Sequence, residues 1–161
     1  NTHLAGAVGT VTGAAVTSLI GAKTDIIMML NGALAGLVAI TAEPLTPTPG
    51  LAIVIGSIGA LIMYFGTKML ENFGIDDVVG AIPVHMFAGI FGTLVVPISN
   101  SDTSFGTQFV GTISVCVFSF VLSYLVFLAL KGTVGLRISK AAEKLGTDKS
   151  EIGVSAYSIR D

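Results

Sequence analysis

Apolar residues run along this chain in long blocks rather than in strict alternation or in a narrow helical stripe. The blocks fall at roughly 4–22, 26–42, 50–71, 78–99 and 108–130. Each approaches the ~20 helical residues that a bilayer crossing requires, so they predict five membrane-spanning helices. The second is short, diluted by Gly32 and Gly36, and EPLTPTPG (43–50) closes it in a loop, because Pro44, Pro47 and Pro49 do not continue a helix. After Leu130 the pattern breaks. Residues 131–161 are polar and mixed in charge and predict a cytoplasmic tail. Within it RISKAAEKLG predicts one short amphipathic helix, with Ile138, Ala141, Ala142 and Leu145 on a stripe and Gly146 as its stop.

Composition supports a membrane protein. Of 161 residues, 52% are hydrophobic and 11% charged, far from the roughly one quarter charged that soluble domains carry. A net charge of −2, with no basic cluster interleaved with aromatics, excludes a nucleic-acid surface. The lone cysteine, Cys116, lies in an apolar run and reads as a small buried residue, with no partner for a disulfide or for zinc. The chain begins at Asn1 without a charged leader and cleavage site, so its start reads as internal to a longer protein rather than as a signal peptide.

Charge placement gives an orientation. Lys23 lies in the first loop and Lys68 at the end of the third span. Lys131, Arg137, Lys140, Lys144, Lys149 and Arg160 all follow the fifth, whereas the second and fourth loops hold Glu43 and Asp102 and no base. With the N-terminus outside and the C-terminus inside, all the basic residues fall on the cytoplasmic face, as the positive-inside rule requires. Small residues at helical spacing (Gly9 and Gly13, Gly32 and Gly36, Gly56 and Ala60, Gly89 and Gly92) predict spans that pack closely against one another in lipid.

The chemistry concentrates in DDVVGAIPVHMFAGIFGTL, residues 76–94. Asp76 and Asp77 read as a helix start, where carboxylates cap free amides. A helix from Asp77 carries His85 roughly 12 Å into a hydrocarbon layer of about 30 Å. Charging an imidazole there is costly, which favours a neutral ring facing protein or a water-filled path. Two readings stay open: a ring that hydrogen-bonds a neighbouring helix, or one that lines a passage. Pro83 cannot donate to the Val79 carbonyl and so predicts a helix kinked or loosened just before His85. Ala81, Ile82, Ala88 and Gly89 leave room beside the ring, which suits a small neutral or transiently neutralised solute. A hydrated cation would want rings of carboxylates or carbonyls instead. His3, at the outer end of the first span, reads as an interfacial residue, and the two histidines lack the spacing of a metal site. No phosphate loop, nucleophile elbow or catalytic carboxylate pair appears, so neither an enzyme nor a cofactor is expected.

Four segments in order, NTHLAG at the start, NGALAGLVAITA (31–42), DDVVGAIPVHMFAGIFGTL and GTDKSEIGVSAY (146–157), resemble the ammonium transporter family Amt/Mep/Rh, on its Amt side. The resemblance runs nearly end to end. It implies an all-α polytopic membrane bundle, the last five of eleven transmembrane helices, in a homotrimer with one pore per subunit. It also implies passage of ammonium or ammonia, with His85 as the second of two pore histidines. The first histidine, the aromatic gate and the outer ammonium site would lie on preceding helices. By the same resemblance Thr41 is a threonine near the lower pore, Ala81 a pore-lining position, and Gly146, Asp148 and Tyr157 the regulatory tail motif. This chain departs from the family at Met86, where Gly usually follows the histidine, and in the tail at Thr147, Ile152 and Val154. AIPVH with PISNSDTSFGTQ also resembles members joined to cytoplasmic signalling modules, which would make the membrane part a sensor.

Overall fold

The computed structural model describes residues 1–21 and 23–156. Among these residues it is helical throughout, without a strand. Helix α1 spans Thr2–Gly21, α2 Ile26–Thr41 and α3 Pro49–Asn72. A helical run Ile82–Ile98 follows, built from a π-helical turn Ile82–Phe87, helix α4 Ala88–Val95 and a 3₁₀ turn Val96–Ile98. Helix α5 covers Phe105–Thr133 and α6 covers Lys140–Leu145. Helices α1, α3 and α5 are long and apolar enough to cross a membrane, while α2 and the run Ile82–Ile98 are shorter apolar helices. The described residues fall into two compact units, Asn1–Val115 and Cys116–Asp161.

The first unit is held together where side chains are smallest. A Cβ on Gly9 would meet the Gly32 carbonyl oxygen, one on Gly13 would lie 2.7 Å from the Met28 carbonyl oxygen, and one on Gly36 would strike the Ala5 carbonyl. These contacts pair the start of α1 with the end of α2, so the two helices run antiparallel. On α3, a Cβ on Gly56 would come within 2.7 Å of Ala5 Cα, and one on Gly59 within 2.7 Å of Ala39 Cβ. In lipid there is no hydrophobic drive between helices, so association depends on this backbone approach and the van der Waals contact it permits. Ala5, Ala35, Ala39, Ala52 and Ala60 are fully buried, and the larger core side chains are Ile40, Met63 and Val84.

Polar residues fix the ends. The Asp25 carboxylate accepts from Ile27 and Met28 N–H and caps α2, and Thr48 Oγ1 caps α3 at Leu51 N–H, with Pro49 in the first turn. At the end of the bundle where α2 finishes, Asn1 donates to the carbonyls of Pro44 (3.0 Å) and Pro47 (2.6 Å), and Asn100 donates to Glu43 (3.2 Å). The proline loop is thereby clasped from both sides.

In the second unit Ser139 caps α6 at Ala142 N–H, and Gly146, at φ 95°, ends it with its own N–H on the Ala142 carbonyl. A short π turn, Asp148–Ile152, follows. Cys116 is half-buried rather than fully enclosed.

Candidate functional site

The helix that carries His85 starts later than the sequence suggests. Residues 77–80 form a turn, and the Asp77 carboxylate caps the next helix by accepting from Ala81 N–H (2.9 Å) and Ile82 N–H (2.8 Å). Asp77 is therefore the capping residue but not the first helical one, and His85 lies in the opening turns. The missing donor at Pro83 leaves no gap in the helix's hydrogen bonds, for the same reason. At the second position of the run, proline's missing N–H would have had no intrahelical partner in any case. The helix is loosened there all the same. The Ala88 N–H reaches the carbonyls of Pro83 and His85, which widens the helix into a π turn around His85. Such widened turns recur at functional sites, because the extra residue per turn redirects a side chain.

A second tie holds this turn. Asn31 on α2 donates to the Val79 carbonyl at 2.9 Å. Gly80 adopts φ 73°, and a Cβ there would lie 2.8 Å from Asn31 Nδ2. Asn31 escaped the reading of the sequence, although an amide in an otherwise apolar helix was its signal.

Burial then separates the faces of the run. Pro83, Val84, Ala88, Gly92 and Val96 are buried against α2 and α3, whereas Ala81, His85 and Met86 are exposed. Ala88 is thus a packing residue with no exposure, not open space beside the ring as its spacing suggested. Gly89 does leave space, since a Cβ there would meet only Val38, at 3.5 Å. Ala81, His85 and Gly89, each one turn from the next, form a strip of small residues with an imidazole at its centre. The ring makes no hydrogen bond among the described residues, so the reading in which it ties two helices together is not realised there. No group of three acidic, histidine or cysteine side chains that could hold a metal occurs among the described residues.

Thr41 is not part of this strip. It ends α2, its hydroxyl donating to the Leu37 carbonyl at 2.5 Å. Asn31, which meets Val79, is ten residues earlier, roughly 15 Å along the helix axis. Glu43, just beyond Thr41, meets Asn100. Thr41 therefore belongs to the opposite end of α2 from the Asn31–Val79 contact beside Ala81, about one turn beyond Val38, which faces Gly89 of the strip.

In the tail, Gly146 and Asp148 do come together. A Cβ on Gly146 would sit 2.5 Å from Asp148 Oδ1. Asp148 Oδ2 accepts from Ala156 N–H at 2.8 Å, and its carbonyl accepts from Val154 N–H at 3.1 Å, folding residues 148–156 back on themselves. The bond from Ala156, followed by one from Lys149, lowers the Asp148 carboxyl below its ordinary value of 3.8. Tyr157, the third residue of that motif, lies outside the described residues.

Apolar helices packed through glycine and alanine, with a histidine displayed on an open face at a widened turn, define an integral membrane protein of the helical-bundle class. The chain belongs to the Ammonium Transporter Family, whose sequence profile matches residues 1–157. It is 38% identical to ammonium transporter Amt2 of Archaeoglobus fulgidus, an alignment that covers 98% of this chain and 38% of that protein. It is 30% identical to the ammonium transporter of Bacillus subtilis, covering 98% and 43%. Among solved structures it superposes on one described as "Sensor Amt Protein" with a TM-score of 0.86 and 33% identity, covering 94% of this chain and 40% of that one. It superposes on Candida albicans Mep2 with a TM-score of 0.80 and 25% identity, covering 95% and 38%. The chain thus spans about two fifths of the length of these relatives. Its family is one of transporters, not of enzymes.

Proposed function

We propose that the protein of which these residues are part passes ammonium or ammonia across the membrane, with His85 as one half of a histidine proton relay. The observation that carries this reading is the π-widened turn, which presents a ring without a hydrogen bond between Ala81 and Gly89 on an open face. A narrow apolar strip suits ammonia, which needs no hydration shell replaced. A neutral imidazole accepts at one nitrogen and donates at the other, so it hands on a proton without holding a charge in lipid. Ala81 lines this path beside His85. Thr41 lines it at the far end of α2.

The same reading takes the blocks at 4–22, 26–42, 50–71, 78–99 and 108–130 as five spans, with the N-terminal end outside and residues 131–161 in the cytoplasm. The grouping of Lys23 and Lys68 around one cleft, and of Glu43 and Asn100 at the other end of α2, supports that orientation. It further takes the protein as a homotrimer in the plasma or inner membrane, with the Gly146–Asp148–Tyr157 motif as a regulatory element.

Uptake of methylammonium by the full-length protein, in cells that lack their own carriers, tests the reading. Positioned proton transfer contributes about 10²–10⁴-fold, so His85→Ala is expected to reduce uptake at least tenfold at equal surface expression. Unchanged uptake sinks the relay.

The superposition on the sensor Amt structure favours a second reading, an ammonium receptor with little flux that signals to a cytoplasmic domain. A kinase or cyclase encoded after Asp161, together with ammonium-dependent signalling in the absence of measurable uptake, would establish it.

A further inference from the structure

The π turn around His85 holds one residue more than an α turn, and something has to keep it open. The Ala88 N–H reaches back to the Pro83 carbonyl as well as to that of His85, whereas in an α-helix it would bond Val84, four residues earlier. Closing the turn moves the chain on one side of it by one residue, about 1.5 Å along the axis and about 100° around it. His85 would then leave the line of Ala81 and Gly89.

The chain after the turn is not free to make that move. A Cβ on Gly92 would strike the Ala39 carbonyl, and Ala88 is fully buried. Gly66 on α3 gives Phe87 its seat, since a Cβ there would lie 2.6 Å from Phe87 Cδ2. The chain before the turn is held differently. The Asp77 carboxylate bonds Ala81 and Ile82, and the Val84 N–H bonds the Gly80 carbonyl at 3.1 Å, but these partners lie in one segment and turn together. Burial of Pro83 and Val84 does not choose the register alone, because apolar contact is not directional. Among the described residues, the bond from Asn31 to the Val79 carbonyl is the one hydrogen bond that ties residues 77–88 to another helix. Its acceptor is one the run leaves free. Val79 stands before Gly80, the first carbonyl the helix uses, and Pro83 has no N–H to offer it.

Building on the relay proposed for His85, we infer that Asn31 is its positioning residue. By fixing Val79 from α2 it keeps the π turn open and the ring in line with Ala81 and Gly89, and it acts only through that placement.

The test uses the full-length protein. Asn31→Leu keeps the volume and loses the donor, and Asn31→Ala serves if that variant does not fold. In a structure of the variant by electron cryomicroscopy, the Ala88 N–H is expected on the Val84 carbonyl with the ring turned off the strip; an unchanged turn and ring overturn the inference. In proteoliposomes the maximal ammonium-driven current should fall at least about tenfold, with the half-saturating concentration unchanged within about twofold. In a His85→Ala background the same substitution should lower the current no further, because both changes remove one function. A wild-type current in Asn31→Leu, or an equal further loss in the His85→Ala background, also overturns the inference. If His85→Ala itself conducts as wild type does, the relay fails, while the structure of the variant still decides whether Asn31 places the ring.

Discussion

At the scale of single residues, the turn before His85 shows how little chain is needed to aim a functional side chain. Asp77 supplies two acceptors to the helix start, Asn31 holds the Val79 carbonyl, and Gly80 takes a φ of 73° that residues with a Cβ adopt only at a cost. Alanine at 80 would carry about 1 kcal/mol of left-handed strain, and its Cβ would also press on Asn31 Nδ2. Gly80→Ala is therefore expected to destabilise the full-length protein by about 2 kcal/mol. In an Asn31→Ala background the same change should cost about half as much, because the clash is gone and only the strain remains. Thermal unfolding of the four proteins in detergent checks this, and full additivity would show that Asn31 and Gly80 do not communicate.

Asp148 is a second residue with a definite pH signature. Its folded carboxyl titrates below the ordinary value of 3.8 because the ionised form accepts from Ala156 N–H. A lowered carboxyl stabilises the turn above that ordinary value, and the contribution disappears as pH falls through the lowered one. Protection of the Ala156 amide in hydrogen exchange, corrected for the intrinsic rate, should thus stay constant between about pH 5 and 8. Asp148→Asn, which keeps an acceptor but loses the charge, should reduce that protection at neutral pH, and Asp148→Ala should abolish it. A loss of protection in the wild type near pH 6 would contradict the assignment.

At the scale of elements, the contrast is between glycines that touch a neighbouring helix and glycines that do not. A Cβ on Gly9 would meet the Gly32 carbonyl, whereas around Gly111 on α5 nothing lies within 4 Å. Gly9→Ala forces α1 and α2 apart and should destabilise by about 1–3 kcal/mol, the usual range for overpacking. Gly111→Ala should be neutral or stabilising by up to about 1 kcal/mol, from helix propensity alone. Equal effects at the two positions, measured as unfolding midpoints, would refute the role given to the α1–α2 contact. The Ile82–Ile98 run makes a related point. Its buried residues recur about every four positions and leave Ala81 and His85 on the other side, so packing decides which face is open.

At the scale of the whole molecule, the proposed orientation has a direct test. In a Cys116→Ala background of the full-length protein, a cysteine introduced by Thr46→Cys should react with a membrane-impermeant maleimide on intact cells. One introduced by Lys140→Cys should react only after permeabilisation, and the reverse pattern would invert the topology. The same loops matter to stability. Asn1, Glu43 and Asn100 clasp the end where α2 finishes, far from the cleft that Lys23, Tyr64 and Lys68 share. The two ends of the bundle therefore present different chemistry to their two aqueous phases.

Much of this was legible in residue order. Long apolar blocks make a helical membrane protein the economical outcome, since every backbone amide must be satisfied where there is no water. Glycine at helical spacing announces close helix contacts, and four motifs in order point to the ammonium transporters. Gly146 stops α6 and Asp77 caps a helix, because both roles depend on neighbours a few residues away. The features that escaped depend on distant partners. The late start of the His85 helix follows from the Asp77 cap and from Asn31 on another helix. The harmless position of Pro83 depends on that start. The separation of Thr41 from Ala81 depends on where α2 begins and ends beside the Ile82–Ile98 run. The cleft around Tyr64 exists only because α3 is set beside the α1–α2 loop. Short-range chemistry is written in the order of the residues. The open strip at His85 comes from contacts between segments some fifty residues apart, which no local pattern encodes.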